Sequence, residues 1–365
     1  MSFEKVKKNL GFGCMRLKMN DDTVDYVEFS KMIDAFINAG FNYFDTAHGY
    51  IDGKSETAIR DCLSARYNRE DFILANKLSE WYYKKEEDIL PLFESQLSLC
   101  GVDYFDFYLF HCITRRNYPK YKDTNSFNVV KKLKDAGKIK HIGLSFHDTA
   151  DILDMILTEQ PFIEFVQLQI NYLDYDDPSV QSKACYDVAV KHGKKVIVME
   201  PVKGGALVNL PEKAAKIFNE INSGSYASYA LRYAATFPNV FMVLSGMGDI
   251  NMMNDNLNTF SPFIPLNDNE LKATDSVREI IREVSQIPCT KCNYCAEVCP
   301  KNIPISQLFT SYNKFLAAKI TGAKAKEEFP TDKPPACDCI KCGKCESVCP
   351  QNIAIKEHLE KIAKL

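Results

Sequence analysis

The 365-residue sequence lacks three features that would assign a protein at once to a broad class. It has no apolar run long enough to span a bilayer, which excludes a membrane-embedded protein. Its formal net charge is only −3, so it has no basic surplus of the kind that binds nucleic acid. The first residues, MSFEKVKKNLGF, contain no apolar signal segment. We therefore expect a cytoplasmic protein without nucleic-acid or membrane partners.

Cysteine, by contrast, is abundant, and eight of the 14 cysteines fall into two copies of one pattern. The copies are CTKCNYCAEVCP from Cys289 to Pro300 and CIKCGKCESVCP from Cys339 to Pro350, each with the spacing C-x2-C-x2-C-x3-C-P. This spacing brings three thiolates to one iron–sulfur cube and directs the fourth cysteine elsewhere. The tail therefore predicts an iron–sulfur module whose ligands are Cys289, Cys292, Cys295, Cys299, Cys339, Cys342, Cys345 and Cys349.

Two other uses of these cysteines remain as alternatives. Structural zinc also takes C-x2-C pairs, but it takes four ligands from two such pairs, whereas each run here supplies three close thiols and a Cys-Pro. Disulfides require an oxidising compartment, which the missing signal segment does not favour. Cys337, two residues before Cys339, is a spare thiol that could replace a neighbouring ligand.

The two runs resemble those of the two-cluster bacterial ferredoxins. That resemblance implies two [4Fe-4S] clusters with crossed ligation, in which the fourth cysteine of each run binds the cluster of the other run. The implied ligand sets are Cys289, Cys292, Cys295 and Cys349 for one cluster, and Cys339, Cys342, Cys345 and Cys299 for the other. The segment between the runs is longer than in the compact ferredoxins and holds a helix-like stretch, Ile305 to Ile320, and a charged, proline-rich loop. We therefore expect a mainly helical ferredoxin-like domain over residues 288–365.

Ahead of this tail, short β-rich apolar runs alternate with longer amphipathic ones. The stretch FSKMIDAFINAG repeats apolar residues every three or four positions and ends at Gly40, as a helix does. Eight strands alternating with helices over roughly 250 residues are typical of a (β/α)8 TIM barrel, an α/β fold. We expect this barrel over residues 1–265 and a linker helix over 266–287. The predicted strands are Leu10–Met15, Phe41–Asp45, Phe72–Leu78, Tyr104–His111, Ile139–Phe146, Phe165–Ile170, Lys195–Glu200 and Val240–Met247.

Polar residues stand at or near the carboxyl ends of three of these strands. Asp45 ends the second strand and Tyr50 lies in the loop that follows it. Lys77 is near the end of the third strand, and His111 ends the fourth. TIM barrels carry their active sites at this end. We therefore expect these four side chains to converge at the barrel mouth as a catalytic group.

At these residues the chain resembles the aldo-keto reductases, over roughly positions 10–260. The segments FDTAHGY, NK and LFHC reproduce that family's Asp, Tyr, Lys and His tetrad in order. The resemblance implies reduction of a small-molecule carbonyl, with Tyr50 as the proton donor and His111 orienting the carbonyl. Lys77, held by Asp45, is expected to lower the pKa of Tyr50 from its usual value of about 10.

The cofactor implied by the resemblance is a nicotinamide dinucleotide, NAD(H) or NADP(H). Ser145 and Gln167 match the family's carboxamide contacts, and Asn256 matches its adenine contact. Gly246 and Met252 stand where NADPH-selective members have Lys and Arg, so NADH fits at least as well as NADPH. The segment SGMGDINMMNDN also places glycines before a helix start, where backbone N–H groups and the helix dipole suit a phosphate. The predicted contacts in this segment are Ser245, Gly246, Met247, Gly248 and Asn256.

Electron counting leaves the cofactor open. A nicotinamide exchanges two electrons as hydride, whereas a cluster passes one, so the two do not couple directly without a converter. FMN could replace the dinucleotide, with Arg16 facing its anionic ring edge or a substrate carboxylate, or a partner protein could provide the flavin, or the clusters could be structural or regulatory. A ferredoxin, flavodoxin or other redox partner would exchange electrons with the clusters. We expect carbonyl reduction with fused clusters for electron transfer. The alternative is an electron-transfer or redox-sensing module whose barrel binds FMN or NAD(P)H without reducing a carbonyl.

Overall fold

The computed structural model describes residues 3, 5–283, 287–321 and 335–364. The chain divides into two compact units, the first made of Met1–Pro201 and Ala227–Leu266 and the second of Val202–Tyr226 and Asn267–Leu365. The charged, proline-rich loop predicted between the cysteine runs lies almost wholly outside the described residues. None of the helices in these described ranges is both long and apolar enough to cross a membrane.

The first unit is a closed barrel of eight parallel strands in which each strand pairs with its neighbours in the chain and the first pairs with the last. This confirms the predicted (β/α)8 fold. The strands are β1 Leu10–Gly13, β2 Tyr43–Asp45, β3 Ile73–Leu78, β4 Phe105–Ile113, β5 Ile139–Phe146, β6 Phe165–Gln169, β7 Lys195–Met199 and β8 Val240–Ser245. A two-stranded hairpin, Met19–Asn20 with Thr23–Val24, was not predicted.

Helices alternate with these strands. The first begins after Asp25, whose side chain accepts a hydrogen bond from the Glu28 amide at 3.0 Å, and it ends just before Gly40, which has a φ of +83°. The helices up to the one after the last strand are α1 Tyr26–Asn38, α2 Lys54–Ile59, α3 Ile89–Cys100, α4 Tyr118–Asp123, α5 Ser126–Asp135, α6 Ala150–Glu159, α7 Ser182–Lys191, α8 Glu212–Ile221, α9 Tyr226–Ala235 and α10 Ile250–Thr259. The later helices are α11 Asp268–Glu283, α12 Tyr294–Glu297, α13 Ile305–Thr321, α14 Lys344–Ser347 and α15 Ile355–Ile362. Short 3₁₀ turns include Glu80–Tyr82 and Lys203–Gly205.

Bulky side chains fill the barrel beneath its mouth. Tyr43, Phe107, Phe165 and Met242 belong to this buried cluster. Gly143 makes room for one of these rings, since a Cβ at that position would lie 2.4 Å from the ring of Phe165. The apolar interior closes the barrel below, so polar side chains at the strand ends above it face the mouth.

The second unit is mainly helical, as predicted. Its core combines aliphatic residues of α13 and α15 with residues of both cysteine runs. The runs fold alike: the amide of Ile305 donates to the carbonyl of Ile303 at 2.8 Å, and that of Ile355 donates to the carbonyl of Ile353 at the same distance. Helix α11 lies within the segment predicted as a linker helix. The predicted domain boundaries, at 265 and 287, stay predictions.

Candidate active site and cysteine sites

A buried ion pair joins the ends of β2 and β3. Lys77 Nζ lies 2.6 Å from Asp45 Oδ1 and donates to the carbonyl oxygen of Thr46 at 2.7 Å. Lys77 is 0% exposed and Asp45 is 3% exposed. Asp45 is in register with Ala75, two residues before Lys77, so the pairing of neighbouring strands brings the two charges together.

Tyr50 lies against this pair. The Lys77 ammonium nitrogen is 4.8 Å from the centre of the Tyr50 ring. Burial raises the pKa of Tyr50 well above 10, and the negative charge of Asp45 raises it further. The net shift of the Tyr50 pKa is therefore upward, opposite to the predicted lowering, because burial dominates in this structure. The phenol keeps its proton at neutral pH, which is the form a proton donor needs.

His111 lies beside Tyr50, with their ring centres 6.0 Å apart. The register between β4 and β5 shifts around His111, and Cys112 has a φ of +51°, so the strand bulges at the mouth. Ser145 Oγ accepts a hydrogen bond from the Cys112 amide at 2.8 Å. This bond gives the displaced amide a partner and holds the bulge that places His111.

Ser79, which the sequence analysis did not select, contacts the His111 ring. Its Oγ lies 2.6 Å from His111 Nδ1, and both residues are buried. Burial, together with the charges of Lys77 and His147, lowers the pKa of His111 well below 6.5, so the imidazole is neutral at neutral pH. The partner of one ring nitrogen influences which nitrogen carries the proton, and Ser79 takes that part here. A hydroxyl two residues after Lys77 at a strand end was the available signal.

Two aromatic side chains from the Glu80–Tyr82 turn form a wall next to this group. The Trp81 ring centre is 5.2 Å from that of His111. Tyr82 closes over the tetrad loop, where a Cβ on Gly49 would lie 2.3 Å from the Tyr82 hydroxyl oxygen. Each ring is 40% exposed. The mouth therefore offers a solvent-facing aromatic surface beside the polar group.

Ser145 and Gln167, the predicted carboxamide contacts, are paired directly across β5 and β6. Gln167 Oε1 is buried and accepts no hydrogen bond from any described residue, and its Nε2 makes only a long, 3.7 Å contact with Met199 Sδ. Leaving such an acceptor unpaired costs about 1–3 kcal/mol. An amide donor on a ligand at the mouth would satisfy it, so this pair fits a carboxamide.

The start of α10, predicted to favour a phosphate, is capped by carboxylates instead. The Asp249 side chain accepts hydrogen bonds from the amides of Asn251 and Met252, at 2.8 and 2.9 Å. Glu28 Oε1 accepts from the amide of Ile250 at 2.8 Å. These helix amides already have partners, and two negative charges face any anion that approaches them. An Asp directly before a helix is a local capping signal, but local sequence could not reveal the contact of Glu28, which is 222 residues from Ile250.

The other predicted contacts of this segment lie at the end of β8. Asn256 Nδ2 donates to Ser245 Oγ at 2.8 Å, which ties α10 to the strand end. Met247 is buried, with 1% of its surface exposed. Asn256 is also buried in this structure, and its predicted contact with an adenine stays a prediction.

Arg16 lies next to the glycines of the same segment. A Cβ at Gly246 would be 3.7 Å from Arg16 Cβ, and one at Gly248 would be 3.8 Å from the Arg16 carbonyl oxygen. The guanidinium forms an ion pair with Glu200, with 3.3 Å between Nη2 and Oε1. Glu200 was not selected from the sequence, because a single acidic residue after a strand has no distinctive pattern.

The eight predicted cysteine ligands line two cavities, and each cavity is lined by cysteines of both runs. The residues of one set are Cys289, Cys292, Cys295 and Cys349, and those of the other are Cys299, Cys339, Cys342 and Cys345. The fourth cysteine of each run thus faces the cavity of the opposite run. Cys337 is exposed and is not among the residues that line either cavity.

Both runs turn the backbone into the left-handed region at equivalent positions. Lys291 and Lys341, within the runs, have φ values of +60° and +56°, and Asn302 and Asn352, two residues after each run, both have +50°. For residues other than glycine this conformation is costly, and turns of this kind aim successive N–H groups into a concavity that binds anions, including iron–sulfur clusters. The backbone of both runs therefore fits an anionic cluster.

The cysteine thiols do not ionise readily by themselves. Burial, with smaller contributions from neighbouring cysteines, raises the pKa of Cys295 to about 12 and that of Cys345 to about 11. A bound metal deprotonates a coordinating thiol outright. We therefore expect these cysteines to become thiolates only when the metal binds.

Within the second unit, the 3₁₀ turn after β7 packs on the first cysteine run. Gly204 has a φ of +61°, and a Cβ there would lie 2.6 Å from the carbonyl oxygen of Thr290. Thr290 is itself buried. Both the backbone conformation and the close approach require glycine at this position.

Comparison with known proteins identifies both parts of the chain. Residues 9–279 match the model of the aldo/keto reductase family, and residues 288–354 match that of the 4Fe-4S dicluster domain. An aldo-keto reductase of Mycolicibacterium smegmatis is 29% identical over 183 residues, which are 50% of this chain and 62% of that protein.

Solved structures share the barrel fold. Aldo-keto reductase AKR11C1 from Bacillus halodurans, in its holo form, is 24% identical with a TM-score of 0.62, covering 74% of this chain and 92% of that one. An aldo-keto reductase from Klebsiella pneumoniae in complex with NADPH is 20% identical with a TM-score of 0.61, covering 75% and 95% of the two chains.

We predict that Gly204→Ala destabilises the first cysteine run. The added methyl group meets the backbone of Thr290, and overpacking of this kind typically costs about 1–3 kcal/mol. Iron content and thermal unfolding, both measured anaerobically, should show fewer bound iron atoms and a lower midpoint.

Gly205→Ala is the matched control. Gly205 also has a positive φ, +92°, but a Cβ added there would lie no closer than 3.8 Å to its nearest neighbour, Asn209 Nδ2. It therefore carries the conformational cost without the close contact. Equal losses in the two variants would show that the Thr290 contact is unimportant.

Proposed function

This chain belongs to the aldo/keto reductase family, and from that premise we propose that its barrel reduces a small-molecule carbonyl with a nicotinamide cofactor. The chain is an oxidoreductase of this family with a C-terminal 4Fe-4S dicluster domain. One observation carries the proposal: Lys77 joins Asp45 at 2.6 Å and lies 4.8 Å from the Tyr50 ring, and the centre of the His111 ring is 6.0 Å from that of Tyr50.

In this proposal the four side chains divide the work of proton delivery. Tyr50, protonated at neutral pH, donates its proton to the carbonyl oxygen. His111 is neutral and can donate a hydrogen bond to the same oxygen without carrying a charge into the site. Lys77, fixed by Asp45, places positive charge beside the phenolate as it forms and so stabilises it.

A bound nicotinamide would supply the hydride that this reaction needs. Ser145 and Gln167 would hold its carboxamide, since Gln167 presents a buried acceptor and the Ser145 hydroxyl still has a proton to donate. The NADPH complex of the Klebsiella pneumoniae protein supports a nicotinamide in this fold. FMN stays as the alternative, because its ring also carries an N–H donor and its phosphate could bind near Arg16.

We further propose that the eight cysteines hold two [4Fe-4S] clusters with crossed ligation and that these clusters transfer electrons. The mixed lining of the two cavities and the matching left-handed turns of the two runs support this. Because a cluster passes one electron at a time, the partner of this domain would be a one-electron carrier such as a ferredoxin or flavodoxin.

Replacing Tyr50 by Phe tests the barrel chemistry. The phenol supplies the proton, so turnover should fall by about two to four decades while the dissociation constant of the cofactor and the iron content stay close to those of the parent. Turnover is measured as steady-state rates on a panel of aliphatic and aromatic aldehydes and ketones. The dissociation constant is measured by fluorescence titration and the iron content by iron analysis.

Tyr26→Phe serves as its control, because Tyr26 is 39% exposed on α1 and lies outside the proposed machinery. If Tyr50→Phe keeps the turnover of this control, the tetrad does not deliver the proton. A barrel that binds a cofactor without reducing a carbonyl would then be the better description.

Crossed ligation predicts that Cys299→Ser perturbs the cluster of the second run. Cys299 lines the cavity of Cys339, Cys342 and Cys345, so its loss removes a ligand from that set. Paramagnetic resonance and iron counting on Cys299→Ser and on Cys349→Ser should show damage to different centres. Loss of the cluster of the same run in each variant would contradict the crossed arrangement.

The carboxylates at α10 predict that NADH binds at least as well as NADPH. Asp249 and Glu28 would repel a 2′-phosphate placed at the helix start. Asp249→Asn keeps a capping oxygen and removes the charge, so it should tighten NADPH binding by about fivefold, the effect of about 1 kcal/mol, and leave NADH unchanged. A parent that binds NADPH a hundredfold more tightly than NADH would refute this interpretation.

A further inference from the structure

We propose that Arg16 and Glu200 form an exchangeable anion site at the barrel mouth, in which the phosphate ester of a bound cofactor displaces the Glu200 carboxylate from the Arg16 guanidinium. This deepens the proposed function and rests on its premise that the barrel binds a cofactor. The ligand class is the phosphate ester, which NADH, NADPH and FMN share.

The position of the pair fits such a ligand. Arg16 follows β1 and Glu200 follows β7, and β8 lies between these two strands in the barrel. The Arg16 side chain passes beside Gly246, just after the end of β8, to reach Glu200. TIM barrels frequently bind phosphate with the loops after their seventh and eighth strands.

The ion pair is also weak enough to exchange. Its 3.3 Å separation is longer than the 2.7–2.9 Å of a strong charge-assisted bond, and the two side chains stay 32% and 18% exposed. Pairs of this kind add little to stability. A phosphate offers more charge than a carboxylate and suits the fork of an arginine, so it competes well for Arg16.

Glu200 is held in place for this contact. Its φ of +56° is uncommon for a residue that is not glycine, and its carbonyl oxygen accepts a hydrogen bond from Asn171 Nδ2 at 3.1 Å. Strained residues of this kind concentrate at ligand sites. The strained backbone keeps the carboxylate at the mouth, where its charge reaches Tyr50 and contributes to raising the pKa of that phenol.

The start of α10 does not offer a better place for the phosphate. Its first amides donate to the carboxylates of Asp249 and Glu28. Among the residues predicted to contact the cofactor, Arg16 is the one with a positive charge. A phosphate at this end of the barrel is therefore attracted to Arg16 and repelled by the helix cap.

Equilibrium binding to the full-length protein, handled anaerobically, tests the exchange. Dissociation constants for NADH, NADPH and FMN are measured by fluorescence titration for the parent, Arg16→Met and Glu200→Gln. Arg16→Met should weaken binding by about tenfold or more, the loss of one charge-assisted bond. Glu200→Gln should tighten binding by about threefold to tenfold, because a neutral amide competes less for the guanidinium.

Arg115→Met is the matched control. Arg115 forms an exposed ion pair with Asp151, at 3.1 Å, and its loss should leave all three dissociation constants unchanged. Effects confined to NADH and NADPH assign the site to the dinucleotide, and effects confined to FMN assign it to the flavin. Either pattern supports the exchange.

Three results would overturn the proposal. They are unchanged binding in both variants, weaker binding in Glu200→Gln as well as in Arg16→Met, and a parent that binds none of the three ligands. Because these are equilibrium measurements, they do not depend on turnover. If Tyr50→Phe keeps its turnover while Arg16→Met weakens cofactor binding and Glu200→Gln tightens it, the proposed reaction is refuted and the anion site is supported.

Discussion

The barrel site depends on one buried ion pair, Lys77 with Asp45. Each charge taken out of water costs several kcal/mol, and burial raises the pKa of Asp45 although the charge of Lys77 opposes that shift. The second carboxylate oxygen, Oδ2, is buried and accepts no hydrogen bond from the described residues. Well-packed apolar side chains of similar volume would often stabilise the fold equally well. The pair is therefore better explained by what it does, which is to fix positive charge beside Tyr50.

The cysteine module is under a different constraint, which is the need to hold thiolates close together. Its thiols are buried with raised pKa values, and its backbone turns through left-handed residues such as Lys291 and Lys341. Each of these features costs free energy in the protein alone. Metal binding can offset all of them, since the binding free energy of a structural metal becomes folding free energy. Because the motif occurs twice, each run supplies the fourth cysteine of the other run's cavity.

Sequence patterns predicted the barrel, its eight strands and the convergence of Tyr50 and His111, because these depend on local periodicity and on the geometry shared by all such barrels. They did not predict Ser79 or Glu200, whose roles depend on contacts with elements remote in sequence. The capping of α10 by Glu28 was not predicted either, because Glu28 is remote in sequence from that helix. The pKa direction of Tyr50 was also missed, because burial is a property of the packed site and cannot be read from residue types.

The negative charges around the end of β8 limit what the barrel can accept. Glu200 pairs with Arg16, and the carboxylates of Asp249 and Glu28 cap the first amides of α10, which follows β8. A cofactor that brings one diphosphate or phosphate to Arg16 gains an attraction and meets few further penalties, whereas an additional 2′-phosphate at α10 adds repulsion. In the proposed function the four side chains move only protons, so the cofactor that satisfies this charge pattern also decides whether electrons leave the barrel in pairs or singly. The charges at the mouth therefore influence which cofactor binds, and the cofactor in turn sets how many electrons are transferred at a time.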